Sequence, residues 1–279
     1  MCQPQSLMRG PIPVEPKTSE SISVVFPVYN DARSIGEMVS DVRDVLERRF
    51  HDWEIILVND GSEDDSAEVV ERLAASDRRI CVVHHRGNQG YGAAINTGFA
   101  HSTGELVFYT DSDGQFDPRE LERLLAHIDG TDLVTGVKRR RSDAWIRRIE
   151  GSFYHAVTRF IFELSVRDVD CNFRLLRRHV VDKIMPLWCR EGAVGAEMLA
   201  KAKAWRCRVA QVPVNHFPRR YGRSQFFCFK HISRSIVEIF ELWCLLMAAK
   251  RKKTFRRAIG PFSCGAPKAT PIGSLHKNV

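Results

Sequence analysis

Residues 105–117 read ELVFYTDSDGQFD, an apolar run that ends abruptly in acid. ELVFYT has the β-branched and aromatic content of a strand. Asp111, Asp113 and Asp117 then follow within seven residues. Like charges this close repel unless a cation sits among them. Two carboxylates two residues apart, just past a strand, can both turn toward one hard cation. Mg2+ or Mn2+ takes oxygen ligands and shares its shell with substrate phosphates. Asp, Ser and Gly are also turn formers, and a plain turn is the alternative.

Outward from this stretch, SISVVFPVY (21–29), WEIILV (53–58), ICVVHH (80–85) and DLVTGV (132–137) are further runs of strand length. Residues 34–50 place Ile35, Met38, Val39, Val42, Val45 and Leu46 on one helical face, with Ser34 as N-cap. A helix opening at Ser62, with Asp65 three residues on, and another over 89–101 fill the next gaps. Pro118 suits the first turn of a helix. This alternation predicts an α/β fold whose mostly parallel sheet is flanked by helices. Ligands bind such sheets beyond the C-terminal strand ends. Asn30 and Asp31, Asn59 and Asp60, and Asp111 and Asp113 stand there. Asp60 is suited to accept hydrogen bonds from a ribose or a base, with an Asn-Asp-Gly turn as the alternative. Farther on, a helix over 144–164, a strand at 171–176, helices at 179–187 and 195–204, and a strand over 209–217 are expected.

The 279 residues carry a net charge of +8, with 44% apolar and 27% charged side chains. That suits a globular protein with anionic partners. The basic clusters lack interleaved aromatics on a recognisable module, which argues against nucleic acid. The eight cysteines include no C-x-x-C pair, so they read as reduced thiols and not as zinc ligands. MCQPQSLMRGPIPVEP has no apolar core of the kind a secretory signal carries. Gly90 and Gly92 meet G-x-G-x-x-G only in part, because Ile95 stands at the third position. They read as a pair that lets backbone approach a ligand. His84, His85 and His216 lie on expected strands and read as structural.

PVYND (27–31), VNDGSEDDS (58–66), NQGYGAA (88–94), YTDSDGQFDP (109–118), VDCNFRLL (169–176) and RRYGRSQ (219–225) come in an order that resembles the family 2 glycosyltransferases of the GT-A fold, a Rossmann-like α/β architecture. The resemblance spans residues 21 to about 230 and is strongest toward the polyprenyl- and dolichyl-phosphate sugar synthases. It implies that Pro27, Tyr29, Asp31, Asp60 and Asp111 line a nucleotide pocket. It implies that Asp111, Asp113 and Gln115 hold Mg2+ or Mn2+ and the diphosphate. Arg220 and Ser224 would clamp phosphate, and Lys138, Arg147 and Arg148 would receive the acceptor phosphate. The family pattern has arginine where Lys138 stands, and Ser-Gly where Cys171 and Asn172 stand. Glu197 lies where relatives that use hydroxyl acceptors place a catalytic acid. A structural or orienting role is its alternative, since Met198 and not Asp follows it.

The implied reaction loses a nucleoside diphosphate while the acceptor attacks from the opposite face, inverting the anomeric centre. A hydroxyl acceptor needs a general base, but an anionic phosphate does not. The resemblance to those synthases makes a polyprenyl phosphate the preferred acceptor. The alternatives are a hydroxyl acceptor with Glu197 as base, or a non-catalytic nucleotide-sugar or membrane-binding module. Residues 226–249 place Lys230, Arg234, Glu238 and Glu241 on one helical face, opposite Ile232, Ile236, Ile239, Phe240, Trp243 and Leu246, and KRKK (250–253) follows. That pattern predicts an amphipathic helix lying on a membrane surface. The expected organisation is a disordered leader (1–20), a catalytic domain (21–225), an interfacial helix with a basic segment (226–257) and a disordered tail (258–279). The protein is expected in the cytoplasm, peripheral to the inner membrane face and open to homo-oligomerisation.

Overall fold

The computed structural model describes residues 17–139, 156–221 and 237–247. Arg147, Arg148, Ser224, the KRKK segment, most of the leader and the terminal tail lie outside the described residues.

Strand β1 (Ile22–Val28) is buried along its whole length, as a central strand covered on both faces must be. Helix α1 (Ile35–Arg49) follows, then β2 (Trp53–Asn59), α2 (Ser66–Ser76), β3 (Ile80–His84), α3 (Tyr91–His101) and β4 (Leu106–Thr110). A 3-10 turn (Pro118–Glu120) leads into α4 (Leu121–Leu125) and β5 (Leu133–Lys138). After these come β6 (Phe173–Arg177), α5 (Arg178–Ile184), α6 (Val194–Ala204) and β7 (Val209–Val214). Residues 156–162 and 237–247 are also helical.

The seven strands lie in the order β3-β2-β1-β4-β6-β5-β7. Strand β1 pairs in parallel with β2 on one side and with β4 on the other. The strand order therefore reverses between β1 and β4, and the crevice at their C-terminal ends is where a sheet of this kind takes ligand. Strand β6 runs antiparallel between β4 and β5, with Tyr109 opposite Arg174 and Thr110 opposite Phe173. Residues just before β6 thus arrive beside residues just after β4.

Alternate side chains of each strand feed two cores. Ile22, Val24, Phe26 and Val28 meet Ile35, Met38, Val39, Val42, Val45 and Leu46 of α1, the face the periodicity predicts. Each such side chain contributes roughly 1.5–3 kcal/mol by leaving water. Val25, Val107 and Tyr109 face Ala94, Ile95 and Phe99 of α3, with Ala196, Met198 and Leu199 of α6 in the same cluster.

Three local expectations change. Ser34 makes no capping bond at the head of α1; its hydroxyl donates to the Ser112 carbonyl at 2.7 Å. Helix α2 starts at Ser66 with Asp65 as N-cap, and the Ser62 hydroxyl accepts from the Asn30 amide. The C-terminal helix also packs part of its apolar face on the protein core. Ile239, Leu242 and Leu246 join the core, and the Glu238 carboxylate accepts from the backbone amides of Arg190 and Glu191 at 3.0 and 3.3 Å. Glu238, expected on the polar face, therefore faces protein, while Phe240 of the expected apolar face is 62% exposed.

Candidate active site

The crevice is built from two loops stitched together by serine. Asn30, at φ 57°, turns the chain out of β1, and Asp31 follows. Beyond β4, the Ser112 hydroxyl lies 2.7 Å from the Pro27 carbonyl and 2.6 Å from Asp31 Oδ2. Ser34 holds the Ser112 carbonyl. Gly114, at φ 75°, then lets the chain fold back so that the Gln115 amide donates to Asp113 Oδ1 at 3.0 Å. Asp31, Asp111 and Asp113 are thereby gathered at one rim.

Each carboxylate has defined partners. The Tyr91 phenol donates to Asp111 Oδ1 at 2.7 Å, and Asn172 Nδ2 lies 3.4 Å from Oδ2. Arg219 Nη2 donates to Asp31 Oδ1 at 2.6 Å, and its Nε lies 3.9 Å from Asp113 Oδ2. Burial pushes Asp111 above the usual carboxylate range, against the Tyr91 bond and the Lys138 charge, which favour ionisation. Burial, and then Asp111 itself, pushes Asp113 up to about 7, partly opposed by the Gln115 amide and Arg219. Burial and the Asp111 charge hold the Tyr91 phenol well above its ordinary value. These acids are held close together at a cost in their own ionisation, the condition a dication relieves. Among the described residues no three His, Cys, Asp or Glu side chains form a metal cluster. A cation held by Asp111 and Asp113 would complete its shell from outside the protein, which is how Mg2+ and Mn2+ bind alongside phosphates. The residues present fit such an ion.

Several expected site residues have other partners. Gln115, expected at the metal, donates its side-chain amide to the Phe217 carbonyl at 3.1 Å, and the Phe217 amide returns a bond to the Gln115 carbonyl. Gln115 thus anchors the segment after β7. Arg220, expected as the phosphate clamp, is exposed and lies 3.5 Å from exposed Glu37. Its neighbour Arg219 reaches the acids instead. The resemblance points to Arg220, although both arginines stand in the same motif. Arg219→Ala is therefore expected to weaken nucleotide diphosphate binding by roughly 10²-fold, and Arg220→Ala by less than about threefold. Calorimetric titration of both variants checks this.

Asp60 is buried and already committed. Its oxygens accept from the Gln89 and Gly90 amides, both at 2.9 Å, and lie 2.6 Å from His85 Nδ1. The other ring nitrogen of His85, Nε2, lies 2.8 Å from the Thr97 hydroxyl. Asp60 shapes the 88–90 loop from beneath. Gly90 and Gly92 likewise serve the chain's own backbone. A Cβ on Gly92 would lie 1.9 Å from the Cys189 carbonyl oxygen, and one on Gly90 would lie 2.7 Å from that of Arg190. The close approach is to residues 189–190, not to a ligand as the sequence suggested.

Glu197 is fully buried. It accepts from the Trp188 and Cys189 amides and pairs with fully buried Lys201 at 2.6 Å. Lys201 in turn donates to the Ile184 carbonyl and lies 4.2 Å below the Trp188 ring. This is the structural alternative for Glu197, and it corrects the catalytic assignment: a carboxylate sealed in this way cannot reach a substrate proton. Lys138, expected at the acceptor phosphate, donates to the Asp170 carbonyl at 3.1 Å, close enough to Asp111 to favour its charge. Pro27 is buried in β1, and Tyr29 is partly exposed just beyond it.

The model of the family described as glycosyl transferase family 2 matches residues 23–185. The chain belongs to this family. As a family 2 glycosyltransferase it shares its fold with crystal structures of glucosyl-3-phosphoglycerate synthase from Mycobacterium tuberculosis. One, in complex with UDP, is 18% identical, with a TM-score of 0.62 and 80% of each chain covered. A second, with Mn2+, UDP-glucose and phosphoglyceric acid, is 17% identical, with a TM-score of 0.62 over 80% of each chain. A third, with Mg2+ and UDP, is 17% identical, with a TM-score of 0.58 over 88% of this chain and 82% of that one. At this identity the likeness establishes the GT-A architecture of the transferase.

Proposed function

We propose that this family 2 glycosyltransferase moves a sugar from a nucleoside diphosphate sugar to a polyprenyl phosphate, with inversion and with Mg2+ or Mn2+ as cofactor. The observation that carries the reading is the pair Asp111 and Asp113, partly buried at the point where the strand order reverses, with Arg219 close to Asp113. When bound, the ion would neutralise charge growing on the departing diphosphate. Asp111 and Asp113 would hold it, with Tyr29 and Asp31 beside the nucleoside. Arg219, now bonded to Asp31, is within reach of a diphosphate seated over the same acids and would give it a fixed guanidinium. Lys138, whose charge reaches Asp111, would meet the acceptor, with Arg147 and Arg148 from outside the described residues.

The seat of Glu197 supports the phosphate acceptor. Its burial against Lys201 removes the base on which the hydroxyl reading relied. A phosphate arrives already ionised and needs cations in place of a base. A second reading, transfer to a hydroxyl of a small phosphorylated acid, draws on the phosphoglyceric acid found in the related synthase structure.

A lipid acceptor also suits the C-terminal helix. Among the described residues no helix is long and apolar enough to cross a membrane. Val237, Phe240, Trp243 and Leu245 are nonetheless exposed, and Phe160 beside them is 86% exposed. Trp243 and Phe160 line a common cavity of about 730 Å³. Six basic residues follow between 250 and 257, suited to anionic headgroups. The transferase would then work at the cytoplasmic face of the membrane.

The test supplies radiolabelled UDP- and GDP-sugars with Mn2+ to the full-length chain, offering either a polyprenyl phosphate in anionic vesicles or phosphoglycerate in solution. Label entering the lipid phase, and lost in EDTA, supports the reading. Label found only on phosphoglycerate replaces the acceptor, and no transfer from any donor overturns the function.

A further inference from the structure

We propose that Tyr91 is a positioning residue of the metal site, fixing through its phenol which oxygen of Asp111 faces the cation. The inference rests on the metal-dependent reading above. The phenol of Tyr91 donates to Asp111 Oδ1 at 2.7 Å, the length of a hydrogen bond to an ionised acceptor. Oδ2 has the longer contact, 3.4 Å from Asn172. The carboxylate is therefore pinned by one oxygen, and Oδ2 is the oxygen that turns to the ion.

The phenol can perform this task because its seat is rigid. Tyr91 is the first residue of α3, between two glycines that lie against other parts of the chain. On one side the Gly90 amide donates to Asp60. On the other the Gly92 amide donates to the Arg190 carbonyl at 2.8 Å. The strap carrying Arg190 is held from behind by Glu197 and Lys201 and from the outside by Glu238. Residues 60, 90, 190 and 197 thus converge to place one hydroxyl. A ligand held by such an outer partner loses metal affinity when the partner is removed, even though the partner never touches the ion.

Tyr91→Phe keeps the ring and deletes the donor. The probe is Mn2+ alone, followed by loss of the free-ion paramagnetic resonance signal, and then Mn2+ with UDP or GDP. The expected result is a dissociation constant for Mn2+ weakened by roughly 10–100-fold, with a metal-free melting temperature unchanged within about 2 °C. Turnover at saturating Mn2+ should recover most of the wild-type value, placing the defect in the metal requirement. Mn2+ affinity within about twofold of wild type overturns the proposal while leaving the transferase reading intact. A loss of affinity that comes with a clear drop in metal-free stability assigns Tyr91 to the fold and also overturns it. Failure of the wild-type chain to bind Mn2+ with any nucleotide overturns both.

Discussion

Replacing Asp113 by alanine is expected to abolish Mn2+-dependent nucleotide binding and to lower sugar transfer by roughly 10³-fold or more, since the charge on the leaving group then goes uncompensated. The same carboxylate dictates a pH dependence. Its pKa lies near 7 in the folded protein against an ordinary 3.8. Between those values the folded metal-free protein holds a proton that the unfolded chain has released. Its stability from this group is therefore greatest at low pH and falls as pH rises toward 7. A cation requires the ionised form, so metal affinity runs the opposite way and rises across the same window. The increase in Tm caused by Mn2+ should be larger at about pH 8 than at about pH 5.5, and Asp113→Ala should remove most of the difference. Thermal denaturation with and without Mn2+ at the two pH values reads all of this. A pH-independent metal shift in the wild type would contradict the assignment.

Glu197→Ala is expected to fail by unfolding and not by lost chemistry. Removing one partner of a buried ion pair leaves the other charge uncompensated, at about 3–5 kcal/mol. Here the orphan would be Lys201, whose ammonium burial already disfavours. The Trp188 and Cys189 amides would lose their acceptor as well. In a chain of this size the loss corresponds to a fall in Tm of about 10 °C or more, and denaturant titration should report the same deficit. Glu197→Gln keeps one acceptor oxygen and should fall between alanine and wild type. A catalytic base would give the reverse pattern: Gln and Ala variants folding with nearly native Tm, both with turnover reduced by about 10²-fold or more.

Much of the sheet could be read from the chain because its signals are local. The six apolar positions of α1 and the strands flanking them follow from periodicity within single segments. The acid pair after β4 was equally legible, since both residues lie in one loop. What was missed depends on partners far along the sequence. Asn172 reaches Asp111 across 61 positions, and only the antiparallel insertion of β6 brings them together. Arg219 reaches Asp31 across 188 positions, and adjacent Arg220 carries an identical local signal. Gly90 and Gly92 announced a close approach but could not name the approaching group. Glu238 looked like solvent-facing polarity because the amides that receive it, at 190 and 191, lie 48 and 47 residues away.

The sheet carries its own line of division. Every strand on one side of the β4–β6 seam comes from residues 22–110, and every strand on the other from residues 133–214. Asp111 and Asp113 hang over that seam, with Asp31 contributed from one half and Asn172 and Lys138 from the other. The acids are nonetheless held from both halves, since Arg219 and the strap at residues 189–190 belong to the later one and brace Asp31 and Tyr91 of the earlier one.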